Sequence, residues 1–179
     1  LSIIKVAPMR YFCFIAVILI LTGCAGKPGK EEIIKQIKNT LSQTQGTFAV
    51  AYKDLLTGEE ILINEHMLFH AASTMKTPVM VEAYKQAAAG KFSLEDEIEI
   101  YNRFTSIANK KVTYSLDAAD DSEKGLYSMI GQKTSWNDLI YRMITESSNL
   151  ATNILIDKLG AKNVMATLRS VGANGVQVL

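Results

Sequence analysis

Between Ser73 and Gly90 the chain sets a lysine at the head of an apolar helical stripe, a position that any fold must account for. Val79, Met80, Ala83, Tyr84, Ala87 and Ala88 recur at helical spacing and predict a buried helix stopped by Gly90. The row through Met80, Ala83 and Ala87 begins at Lys76, whereas a purely structural lysine belongs on the other face, with Glu82, Lys85 and Gln86. Ser73 lies three residues earlier, and side chains three apart are neighbours on a helix. Desolvation favours the neutral amine, so Lys76 is a candidate base for the hydroxyl of Ser73, otherwise a poor nucleophile. The spacing alone says little, since Ser2 and Lys5 share it without a helix start or an apolar row.

The first 23 residues read as a targeting segment. Met9-Arg10 supplies a short basic region and Tyr11 to Leu21 an apolar one, too short for the roughly 20 apolar residues of a bilayer span. Leu21-Thr22-Gly23-Cys24 resembles a bacterial lipobox, which predicts lipidation of Cys24 and a chain anchored to a membrane of the cell envelope rather than spanning it. Residues 1–8 precede a plausible initiator at Met9 and are assigned no function. Cys13 and Cys24 are the two cysteines, so cleavage before Cys24 leaves no thiol pair for a disulfide or a zinc cluster. Setting aside Lys5 and Arg10 leaves 17 basic against 18 acidic side chains, a balance with no attraction for nucleic acid. A monomer is expected.

Residues 24–30 form a tether, and residues 31–179 are long enough for a sizeable core. Ile33, Ile34, Ile37 and Leu41 predict an amphipathic helix from Glu31 to about Gln43. Alternation at Phe48, Val50 and Tyr52, a turn at Thr57-Gly58 and a return through Ile61–Ile63 predict a hairpin. Leu94, Ile98, Ile100 and Val112 mark short extended pieces, with a turn at Asn109-Lys110-Lys111. The acidic run Asp117, Asp120, Asp121, Glu123 lacks the spacing and glycine of a calcium loop and reads as a solvated loop. His66 and His70 stand four apart, but Met67 replaces the glutamate a zinc hydrolase motif needs. No metal and no cofactor are expected.

Ser135 with Asp138 fits a capping box opening a helix that turns Trp136, Leu139, Ile140, Met143 and Ile144 inward. A second helix carries Leu150, Ala151, Ile154, Leu155 and Leu159 to a stop at Gly160, and a third runs from Val164 to Val171. Ser147-Ser148-Asn149 falls at the corner between the first two. Serine and asparagine cap helices, but beside Ser73 and Lys76 the same corner offers a hydroxyl and an amide for acyl transfer. Ser147 is a candidate proton relay to a departing nitrogen, and Asn149 a candidate substrate contact.

Phe69 to Lys76, followed by Ser147 to Leu155, resembles class A serine β-lactamases and the wider penicillin-recognising serine hydrolases, whose motifs are SxxK, SDN and KTG. The resemblance implies an α+β fold of the β-lactamase/transpeptidase type, an all-α subdomain beside an antiparallel sheet flanked by helices. It implies β-lactam hydrolysis through an acyl-serine: Ser73 as nucleophile, Lys76 as base, Ser147 as relay, and Asn149 and Asn153 as substrate contacts. Ser148 stands where the family has aspartate, a position that supports the corner. No KTG follows Ser147, and residues 149–179 contain no glutamate. The expectation is therefore the N-terminal part of such a domain, its last strands missing and inactive as it stands. A peptidoglycan D-Ala-D-Ala peptidase of the same superfamily and a non-catalytic lipoprotein or gene remnant are the alternatives.

Overall fold

A computed structural model describes residues 28–106 and 109–177. The targeting segment and Cys24 lie outside the described residues. The chain divides into two units, meeting in sequence between Leu68 and Phe69.

In the first unit, α1 (Lys30–Ser42) begins with Glu31 and Glu32, whose charges suit the positive end of a helix. Ile33, Ile34, Ile37 and Leu41 are its half-buried positions, as their spacing requires. A hairpin follows, with β1 (Val50–Lys53) antiparallel to β2 (Glu60–Ile63) and Tyr52 opposite Ile61. The Asp54 carboxylate accepts the N–H groups of Leu56 and Thr57, and Gly58 takes φ 75°, which closes the turn.

The second unit is a helical core with two small antiparallel pairs at its margin. A 3-10 turn (Ala72–Met75) leads into α2 (Lys76–Ala88). Then come β3 (Glu97–Glu99), β4 (Phe104–Thr105), β5 (Thr113–Tyr114), β6 (Lys133–Ser135), α3 (Trp136–Thr145), α4 (Asn149–Leu159) and α5 (Ala161–Ser170). β3 pairs with β6, Ile98 facing Thr134, and β4 with β5, Phe104 facing Tyr114. These helices and antiparallel pairs give the α+β class that was expected. Ile98 and Ile100 are buried, but Val112 is exposed.

α4 is the axis of this unit. Leu150, Ala151, Ile154, Leu155 and Leu159 are buried among side chains of α2, α3 and α5. The stack of Phe92 on Trp136, centroids 3.7 Å apart, closes one end. Ser135 Oγ accepts the Asp138 N–H, so the predicted N-cap of α3 forms. Asp138 does not reach back to complete a box; its carboxylate accepts from Thr134 and Arg142. α5 starts at Ala161, three residues before the expected Val164, because Gly160 both ends α4 and precedes α5.

Two of the three polar residues expected on the outer face of α2 are turned inward, while Lys85 stays exposed. Glu82 and Gln86 are buried, whereas Tyr84 and Ala88 are exposed. The inversion costs little because the polar atoms satisfy one another. Gln86 donates to Glu82 and to the Leu159 carbonyl, and Thr167 donates to Glu82. Ile144, read as inward, is likewise exposed.

Candidate active site

Two residues with left-handed backbone flank the cavity. Ala72 has φ 45° and Ser147 φ 57°, a conformation that costs a non-glycine residue roughly 1–3 kcal/mol and that the surroundings must hold in place. Ala72 directs the chain into the 3-10 turn carrying Ser73, and Lys76 opens α2. The sequence put both residues on one α-helix. In the 3-10 turn, residues three apart eclipse, so the pair stays on one side even though only Lys76 is α-helical.

Lys76 is 4% exposed, and burial lowers its pKa against the opposing charge of Asp121. Its Nζ lies within hydrogen-bonding distance of the Ser147 carbonyl (2.6 Å), Ser147 Oγ (2.9 Å), Asn149 Oδ1 (3.0 Å) and Ser73 Oγ (3.4 Å). Ser73 Oγ and Ser147 Oγ are 2.7 Å apart. Between Ser73 Oγ and the amine, each of the two contacts through the Ser147 hydroxyl is shorter than the direct one.

The corner holding Ser147 is braced by two kinds of group. Ser148 is completely buried and caps α4, its Oγ accepting the Ala151 N–H. The N–H groups of Asn149 and Leu150 are taken by the carboxylate of Asp121 at 2.9–3.0 Å. The acidic run is thus not a solvated loop throughout, since Asp121 and Glu123 are 5% and 6% exposed. Asp121 also accepts from the Glu123 N–H and the Tyr127 hydroxyl, while Glu123 accepts the Leu126 N–H and pairs with Arg142. Burial raises the Asp121 pKa, but the N–H groups of Asn149, Leu150 and Glu123 and the Tyr127 hydroxyl outweigh it, leaving the carboxyl below its ordinary value. Sequence reading missed Asp121 because its partners lie 28 and 29 residues away.

A cavity of about 380 Å³ opens onto Ser73 and Lys76, lined also by His70, Leu116, Asn149, Asn153 and Ile156. All four cavity candidates other than Ser147 are therefore on its wall, and Ser147 bridges two of them from behind. Asn153 donates to the Asn149 carbonyl and accepts from the Tyr114 hydroxyl at 2.7 Å, which ties the β4–β5 pair to α4. Tyr114 was not singled out in the sequence. His70 Nδ1 accepts the Ala72 N–H. Among the described residues no three His, Cys, Asp or Glu side chains are grouped to hold a metal ion.

The model of a family described as "Beta-lactamase enzyme family" matches residues 32–179. No curated protein matches the sequence. Among solved structures, PBP-A aligns at 22% identity with a TM-score of 0.68, covering 86% of this chain and 54% of its own. A mutant of PBP-A, solved as an acyl-enzyme complex with penicillin G, aligns with a TM-score of 0.64 at 22% identity, covering 83% and 52%. A β-lactamase from Sphaerobacter thermophilus is 28% identical, with a TM-score of 0.63 and coverage of 82% and 50%. An ancestral class A β-lactamase gives 23%, 0.65, and coverage of 81% and 51%. The chain thus spans about half the length of these proteins.

Proposed function

The chain belongs to the beta-lactamase enzyme family, and from that premise we propose that the whole protein is a class A-like serine β-lactamase acting through an acyl-serine. The observation that carries the reading is the contact of Ser73 with Ser147 and of Ser147 with Lys76 at the wall of an open cavity. Ser73 Oγ attacks the carbonyl carbon of the lactam amide while its proton passes to neutral Lys76, directly or through Ser147. The C–N bond then breaks, and Ser147 returns the proton to the departing nitrogen. Water adds to the acyl ester, Ser73 leaves with a proton, and a carboxylate is released. Lys76 occupies the side-chain oxygen of Asn149, so the side-chain nitrogen is the group Asn149 offers to a substrate. The penicillin G acyl-enzyme of the PBP-A mutant supports acylation as the common step.

The natural full-length protein, incubated with a fluorescent penicillin and digested, is expected to carry the label on the peptide containing Ser73. Label elsewhere, or none, overturns the proposal. The same time course separates a second reading that the likeness to PBP-A favours, a peptidoglycan D-Ala-D-Ala peptidase. Fast loss of label with accumulating hydrolysed penicillin is the expected lactamase result, and a long-lived adduct is the peptidase result.

The same proposal places the protein in the cell envelope as a monomer, tethered by lipid at Cys24. Labelled palmitate is expected on the wild-type protein and absent from Cys24→Ala. Retention of the label in that variant would refute the anchor.

A further inference from the structure

The corner that presents Ser147 and Asn149 has an unusual division of labour. The first N–H groups of a helix have no partner within it, and a buried one must find an acceptor. In α4 every one of the first four is matched. Ser148 Oγ takes Ala151 and the Ser148 carbonyl takes Thr152, but Asn149 and Leu150 are served by Asp121, from 28 and 29 residues upstream. Ser148, in the middle of the motif, has no carboxylate to give. The carboxylate arrives instead from a separate segment, held by the Tyr127 hydroxyl at 2.9 Å and its own local N–H contact from Glu123.

We propose that Asp121 is a positioning residue for acylation, fixing the strained Ser147–Asn149 corner from outside the motif while its charge faces Lys76. This rests on the serine hydrolase reading above. The geometric half follows from the left-handed φ of Ser147, which sits two residues before the first clamped N–H. If that clamp loosens, Ser147 relaxes toward ordinary backbone and its hydroxyl leaves the space between Ser73 and Lys76. The electrostatic half follows from the Asp121 charge, which offsets the effect of burial on Lys76. The charged and titratable groups gathered here are Lys76, Tyr127, Asp117 and Glu123, the last paired with Arg142 at 3.3 Å.

Asp121→Asn in the full-length protein tests both halves. An amide keeps one acceptor oxygen but turns two N–H bonds toward the donors, so acylation of Ser73 by fluorescent penicillin should slow by about 10- to 100-fold, the range of lost positioning contacts. Removing the negative charge also lets the Lys76 pKa fall further, so the acid limb of the acylation rate should move to lower pH. A wild-type rate overturns the proposal, and so does a slower rate with an unmoved limb, since that is the signature of a merely structural residue. If Asp121→Asn does not fold, Tyr127→Phe, which removes only a donor to the carboxylate, takes its place. Acylation slowed about threefold or more at an unchanged melting temperature is then expected, and a wild-type rate refutes the proposal. Wild-type protein that is never labelled would instead refute the serine hydrolase reading itself, so the two failures are distinct.

Discussion

Lys76→Ala is expected to slow acylation of Ser73 by about 100- to 10,000-fold, the usual worth of a positioned general base. The loss has two sources. Among the described residues, the Lys76 amine is within hydrogen-bonding reach of both Ser73 Oγ and Ser147 Oγ, and it bridges Ser73 to Asn149. It also holds the Ser147 carbonyl at 2.6 Å, so its removal frees the left-handed corner. Lys76→Arg separates the two effects. Arginine retains the charge and the donors but does not give up its proton in a protein. A loss as large as that of alanine therefore assigns the effect to proton transfer, and recovery toward the wild-type rate assigns it to geometry. Stopped-flow acylation across pH is the measurement. Because burial lowers the Lys76 pKa, the wild-type rate should hold to a pH below the ordinary lysine range and fall as acid protonates the amine.

Leu155→Ala carries the largest expected cost in stability, about 2–5 kcal/mol. Leu155 is completely buried on α4, in the core shared with α2, α3 and α5. Truncation there removes apolar contacts from the helix whose first residue is Asn149 and whose N-terminus holds the corner. Against a typical total of about 5–15 kcal/mol, such a loss is a large fraction of what keeps the fold. Val171→Ala is the control, since Val171 is 73% exposed, and surface changes of this kind stay within about 0.5 kcal/mol. Denaturant titration should show a lower midpoint for Leu155→Ala with an unchanged slope, and the two variants should be readily told apart. Equal midpoints would refute the placement of Leu155 in the core.

The site was legible in sequence where its chemistry is local. Ser73 and Lys76 are three residues apart at a helix start, and Ser147 and Asn149 lie at a boundary between two periodic runs where helix capping was the competing reading; the structure brings the four candidates within hydrogen-bonding reach of one another. The hairpin, α1 and the cap at Ser135 were legible for the same reason, each being written in a few adjacent residues. What was missed is long-range. Asp121 looks like one member of an acidic surface run until α4 presents two N–H groups to it. Glu82 and Gln86 look like a solvated face until Thr167, 85 residues from Glu82, donates a hydrogen bond into the helix contact. Ile144 and Tyr84 failed in the opposite direction, because hydrophobic periodicity gives the angle of a face but not how far the neighbouring element extends over it.

Ser73 and Lys76, the proposed nucleophile and base, belong to one short stretch, but the groups that hydrogen-bond them lie 71–74 residues further along the chain. During synthesis, α2 is therefore complete long before α4 exists. Until the two dock, Lys76 is hydrated, keeps the ordinary lysine pKa and stays protonated near neutral pH, so Ser73 is no more reactive than any surface serine. On the proposed mechanism, arming of the serine is a tertiary event, coupled to closure of a long loop rather than to formation of the local turn and helix that carry Ser73 and Lys76. On that mechanism, a nascent or partly unfolded chain therefore carries no activated serine.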